Sequence, residues 1–188
     1  MAHTALPSPT MVPEAELKAT EGGQEPAGEG WFVLNVRDAK WMADHFGAYT
    51  RFEARPQGRF DQLGVNIGVL SPGQPSCYYH GEADQEDFLV LQGECVLVIE
   101  GQERRLRQWD FVHCPPWTEH VFVGAGDGPC ALLAVGSRTS EGIVYPRSEL
   151  ALKYKAGVEQ ETRNPDEAYA GIPEDQAVGY QPGWLPGD

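Results

Sequence analysis

The sequence predicts an all-β protein, an antiparallel sandwich or barrel with short flanking helices and an extended C-terminal arm. Three observations carry this reading. From about residue 50 the chain runs through short segments that read as strands: RFEA, LGVNIGVL, SCYYHGE, DFLVLQG, CVLVIEG, ERRLR, DFVHCP, EHVFVGAG and CALLAVGSR. Glycine- and proline-bearing separators such as SPGQP, QGE, EGQE, CPPWT and GAGDGP divide them, and strands so punctuated indicate antiparallel pairing. The 188 residues, 41% hydrophobic and 10% aromatic, supply one domain with a sizeable core.

The elements follow in order. Residues 1–30 are rich in Pro, Gly, Glu, Ala and Thr and poor in large apolar side chains, so a disordered leader is expected that can be deleted without loss of fold. WFVLNV (31–36) reads as a strand opening a domain over residues 31–147. DAKWMADHF (38–46) has an Asp N-cap with Trp41, Met42 and Phe46 at helical spacing, which predicts a short helix or turn. After the strand segments, SELALKYKAG (148–157) predicts a short capped helix ended by Gly157. The remainder to residue 188 is acidic and Pro/Gly-rich but carries Tyr169, Tyr180 and Trp184. Disordered tails are poor in aromatics, so this arm is expected to dock on the barrel or on a neighbouring subunit.

A formal charge of −14 disfavours nucleic acid and anionic membrane surfaces as partners. No apolar run approaches the ~20 residues that span a bilayer, and the first residues lack the basic and apolar regions of a signal peptide. Cys77, Cys95, Cys114 and Cys130 form no C-x-x-C pair and sit in apolar surroundings; they read as buried free thiols of a cytoplasmic protein.

The chemistry concentrates in CYYHGEADQEDFLVLQG, residues 77–93. Residues two apart share a strand face, so Tyr78, His80 and Glu82 align, as do Glu86, Phe88 and Val90. A turn at 83–85 would set the two strands side by side and let His80, Glu82 and Glu86 converge. His120, with Phe122 on its face, follows a Pro-Pro turn in CPPWTEHVFVG. Imidazoles and carboxylates in this number suit a divalent transition metal with open positions. Spacing alone also fits a solvated strand edge.

The stretch resembles the first motif of the cupin superfamily, G-x(5)-H-x-H-x(3,4)-E-x(6)-G, at Gly73, His80, Glu82, Glu86 and Gly93. One extra residue precedes His80, and Glu82 stands where the family has its second histidine. The second motif, G-x(5)-P-x-G-x(2)-H-x(3)-N, is similar to Trp109, Pro115, Trp117, His120 and Gly124, with Pro and His kept and both glycines and the Asn replaced. The resemblance covers roughly residues 50–140. It implies a jelly-roll barrel holding one divalent metal (iron, manganese or zinc) through His80, Glu86 and His120. Glu82 is then either a fourth ligand through oxygen or a nearby catalytic base. Tyr78, Phe88 and Phe122 are expected on inward faces, as core or as pocket wall.

The resemblance leaves two functions in view. One is a small-molecule metalloenzyme with oxygenase- or isomerase-like chemistry; the other is a non-catalytic binding or structural cupin with a degenerate site. Arg51, Arg104, Arg105 and Arg138 could bind an anionic ligand but read as surface charge, and His113 reads as a packed, hydrogen-bonded histidine. A homodimer is expected, because Leu89 and Leu91 would lie on an outer sheet face that needs cover.

Overall fold

The computed structural model describes residues 11–55 and 58–187. In chain order the strands are β1 (Glu16–Thr20), β2 (Gly23–Ala27), β3 (Trp41–Asp44), β4 (Gly47–Arg51), β5 (Leu63–Leu70), β6 (Gly81–Glu82) and β7 (Glu86–Gln92). They continue with β8 (Glu94–Ile99), β9 (Gln102–Arg107), β10 (Phe111–Cys114), β11 (His120–Ala125), β12 (Cys130–Ser137) and β13 (Ile143–Val144). Two short helices, α1 (Glu149–Lys153) and α2 (Pro165–Ala168), precede β14 (Gln176–Ala177). Among the described residues no helix is long and apolar enough to cross a membrane.

The strands form an antiparallel jelly-roll barrel. The large sheet has the order β10-β7-β12-β5-β4-β3-β14, and the small sheet the order β11-β8-β9. The pair β13-β6 joins the small sheet's side through the His80–His120 bridge. From β5 to β13 the chain passes repeatedly from one sheet to the other, so residues near in sequence end on opposite walls. Alternation then fills the interior: Leu70, Phe88, Val90, Val112, Cys114, Cys130 and Leu132 of the large sheet meet Cys95, Leu97 and Phe122 of the small one. Cys95, Cys114 and Cys130 are buried, Cys77 is half-buried, and all four are free thiols.

The crossings depend on tight turns. Gly93, between β7 and β8, has φ 73°, and a Cβ there would meet the Pro129 carbonyl oxygen at 2.3 Å. Only glycine fits that position without strain. Trp109 and Trp117, standing where the resemblance has glycines, keep glycine-like backbones at φ 75° and 67°. A left-handed conformation costs a non-glycine residue roughly 1–2 kcal/mol.

Three expectations change on the N-terminal side. Residues 16–27 form a β1-β2 hairpin rather than a disordered leader, while residues 1–10 lie outside the described residues. The hairpin holds on through backbone bonds from Gln24 N–H to Asp38 O (2.7 Å), Lys40 N–H to Gln24 O and Trp41 N–H to Gly22 O. Those partners lie far along the chain, so the segment's own low apolar content does not reveal them. WFVLNV is no strand; only Trp31 makes a bridge, to Glu14. The 38–46 stretch is a turn and then the β3-β4 hairpin, because Trp41 at 0% exposure packs under the C-terminal arm instead of along a helix face.

Helix α1 is capped by Ser148, whose side chain accepts from Ala151 N–H. It ends through Tyr154 and the left-handed Lys155 rather than at Gly157. Its Ala151 packs with Tyr79, Val98, Val121 and Val123 on the outer face of the small sheet.

The arm covers the outer face of the large sheet. Trp184 and Tyr180 pack on Trp41 at ring-centroid separations of 4.9 and 5.9 Å, and Leu185 is buried. Leu91 and Leu133 pack into the same cluster, so the arm supplies the cover expected of a second subunit for Leu91. Trp184→Ala is therefore expected to lower unfolding stability by about 2–3 kcal/mol, less than a fully buried Trp because Trp184 is half-buried. Urea titration checks this, and a change below about 0.5 kcal/mol would mean that the arm only rests on the barrel.

Candidate metal centre

His80 and His120 sit directly opposite each other on paired strands. His120 N–H donates to His80 O at 2.8 Å, and His80 N–H donates to His120 O at 3.2 Å. Such a pair projects both side chains to one face, and the imidazole centroids lie 5.2 Å apart. Glu86 opens β7 in the other sheet and reaches in from the opposite wall. The trio thus converges between sheets, not across a hairpin: β6 pairs with β13, and β7 with β10 and β12.

One ligand atom from each of His80, Glu86 and His120 lies within 4.8 Å of the others. His120 Nε2 is 3.5 Å from Glu86 Oε2, and His80 Nε2 is 3.5 Å from Glu82 Oε1. Donors about 2.0–2.2 Å from one ion stand roughly 3.0–3.4 Å apart in tetrahedral or cis octahedral positions. Small side-chain movements suffice to reach that spacing.

Each imidazole is also oriented. His80 Nδ1 lies 2.8 Å from the Tyr78 carbonyl oxygen, and His120 Nδ1 lies 3.0 Å from that of Thr118. A carbonyl only accepts, so each Nδ1 carries the proton and Nε2 faces inward as the ligand atom. Glu82 stands beside His80 but outside the common set, with its side chain 38% exposed.

Electrostatics point the same way. Burial, then the charge of Glu82, pushes the Glu86 carboxyl up to about 7. Burial, then His80, pushes His120 down to about 4, leaving it neutral with a free Nε2 lone pair at neutral pH. Burial works against charge on His80, yet Cys77, Glu82 and Glu86 outweigh it and raise its pKa. The hydrogen bond to His80 lowers Glu82. A Glu86 carboxylate set among buried imidazoles, with the charge of Glu82 nearby, calls for positive charge, which a proton or one divalent cation can supply. The residues fit a divalent metal ion.

The trio lines a cavity of about 360 Å³. Phe88 and Phe122 form its wall, at 5.1 and 6.0 Å from the His120 ring. Tyr78 does not line it, because residues 76–79 bend before β6 and strand alternation does not extend back that far. Tyr78 packs instead against Phe46 and Tyr169. Residues that spacing did not single out complete the cavity: Asn66, Tyr49 (its hydroxyl hydrogen-bonded to Asp175), Tyr145 and Tyr169. Tyr169 arrives from the arm, whose aromatics were the available signal. His113 is exposed and pairs with Asp87 at 2.6 Å, and His45 stacks edge-on to Phe46; neither joins the centre.

The family model described as the cupin domain matches residues 66–136, from β5 to β12. No curated protein matches the chain. Among solved structures, the polyketide cyclase RemF from Streptomyces resistomycificus is 18% identical, with 56% of this chain and 78% of that one covered, at a TM-score of 0.49. A cupin 2 domain-containing protein from Halorhodospira halophila is 16% identical over 58% of this chain and 75% of that one, at a TM-score of 0.48. A cupin-like protein from Thermotoga maritima is 20% identical over 53% and 73%, at a TM-score of 0.43.

Proposed function

The chain belongs to the cupin superfamily through its domain at residues 66–136, and on that premise we propose that it is a metal-dependent enzyme acting on a small molecule, oxygenase-like or isomerase-like. One observation carries the reading: His80 Nε2, His120 Nε2 and a Glu86 oxygen converge on the wall of a cavity with both imidazoles held in the ligating tautomer. Two imidazoles and one carboxylate with open positions form the donor set of non-haem iron oxygenases, which favours the oxygenase-like form. Such an ion would supply Lewis acidity toward an oxygen-bearing substrate and an open position for a second small ligand.

The chain's own groups do the rest. Phe88 and Phe122 exclude water from one side. The hydroxyls of Tyr145 and Tyr169 and the amide of Asn66 can orient a substrate's polar groups. Glu82, lowered in pKa and half-exposed at the mouth, is placed to accept a proton. Metal content of the purified protein tests the proposal: iron or manganese supports the oxygenase-like form and zinc the Lewis-acid form. No metal returns the reading to a non-catalytic binding module.

A homodimer remains part of the proposal. With Leu91 covered by the arm, its support moves to the β10 edge, where Phe111 and Trp109 are 64% and 63% exposed beside Leu89. Light scattering is expected to give twice the monomer mass at micromolar concentration; a monomer mass removes the dimer.

A further inference from the structure

Five of the ten arginines of this acidic chain line one cleft: Arg51, Arg55, Arg59, Arg138 and Arg163. They come from β4, from the segment before β5, from the residue after β12 and from the arm, so nothing in their spacing brings them together. The cleft is continuous with the metal-centre cavity, because Arg51, Asn66, Glu82, Glu86, Ala134 and Ile143 line both.

The five guanidinium groups are not equivalent. Arg138 and Arg55 are committed to Glu53, with Arg138 Nη1 and Nη2 each 2.8 Å and Arg55 Nε 2.6 Å from its oxygens. Asp84, the other cleft carboxylate besides Glu53 and the two beside the centre, is occupied by the backbone N–H groups of Thr139 and Ser140 and by the hydroxyls of Ser137 and Thr139. Arg51, Arg59 and Arg163 make no ion pair within 4.0 Å among the described residues. Arg51 lies over the Tyr49 ring at 4.5 Å, and Arg163 over the Trp117 ring at 5.9 Å. Ring faces hold a guanidinium in place while leaving its N–H groups available. In a protein of charge −14, cations held in this way beside a cavity suit an anion.

We infer that the cleft is an anion subsite: it takes the oxyanion end of a small organic substrate, a carboxylate or a phosphate ester, on Arg51 and Arg163 with Arg59 at the rim. The other end of that substrate reaches the His80–Glu86–His120 centre, a part of the inference that rests on the metal-enzyme reading. The planar fork of a guanidinium matches both kinds of oxyanion.

The test is calorimetric titration of the full chain at low ionic strength, with succinate in one arm and inorganic phosphate in the other. EDTA-treated protein is used so that the arginines are read without any metal. Saturable binding is expected in at least one arm, and the arm that binds names the oxyanion. The Arg51→Gln/Arg163→Gln variant is expected to bind at least about tenfold more weakly, while its zinc uptake matches the parent's. No saturable binding to the parent in either arm, or equal binding to the variant, overturns the inference. If the parent binds the anion but takes up none of iron, manganese and zinc, the metal-enzyme reading fails and the anion subsite stands; metal uptake without anion binding gives the reverse.

Discussion

Glu86→Ala and His120→Ala are each expected to abolish stoichiometric metal, measured by elemental analysis after the parent and variants are offered iron, manganese and zinc. Each variant removes one of three donors that lie within 4.8 Å of one another. Loss of a mere supporting partner costs roughly 10–100-fold in metal affinity, so loss of a ligand should cost more. Glu82 behaves differently, because its carboxylate reaches His80 without joining the common set. Glu82→Ala is expected to weaken or retune binding, and Glu82→His, which rebuilds the family's donor pattern, should retain metal. Two neutral imidazoles with one carboxylate leave a dication with one positive charge. A second carboxylate neutralises it and hardens the set, favouring iron, manganese or zinc over copper(I). Near-UV circular dichroism of each variant separates a lost ligand from a lost fold. A parent that holds none of the three metals sinks the centre outright.

Arg138→Leu is expected to destabilise the fold by about 3–5 kcal/mol in urea unfolding, the cost of stripping a buried carboxylate of its partner. Glu53 is 6% exposed. It accepts from both terminal nitrogens of Arg138, from Arg55 and from the Phe60 N–H at 2.8 Å. Arg138 also donates to the Phe60 carbonyl, so one ion pair ties β12 to the segment leading into β5. Replacing both residues, as in Glu53→Leu/Arg138→Leu, should recover much of the loss, because no charge is then left buried.

The same pair sets a pH dependence. Burial works against the charge of Glu53, but Arg138, the Phe60 amide and Arg55 outweigh it and hold its carboxyl at about 2, against 4.5 ordinarily. A depressed folded-state pKa gives stability that is present above 4.5 and lost as pH falls toward 2. The shift corresponds to about 3 kcal/mol. The parent should therefore weaken steeply across that window, and Glu53→Gln should flatten that part of the profile. An Arg138→Leu variant within about 0.5 kcal/mol of the parent would show that the pair carries no net stability.

The sequence by itself determined where most of the barrel strands lie and that the cysteines are unpaired by local pattern, while its resemblance to the family's motifs pointed to the trio to regard as ligands. Strand alternation and Gly/Pro turns act over a few residues, so β5 and β7 to β12 were legible in the segments that hold them. The two motif segments likewise set out His80, Glu86 and His120, together with the glycine needed at position 93. Only the tertiary structure decided which wall each side chain occupies. His80 and Glu86 are six residues apart yet reach the centre from opposite sheets, because the chain changes sheets at 83–85 instead of turning back on itself. The 16–27 hairpin is ordered by bonds to residues 38–41, and Trp41 is a strand residue because the arm residues Tyr180 and Trp184 cover it. The arginine cleft gathers residues 51 to 163 from four separate segments of the chain. Each of these outcomes depends on closing long loops, and a pattern with a period of two or of 3.6 residues holds no information about which distant partner will be there.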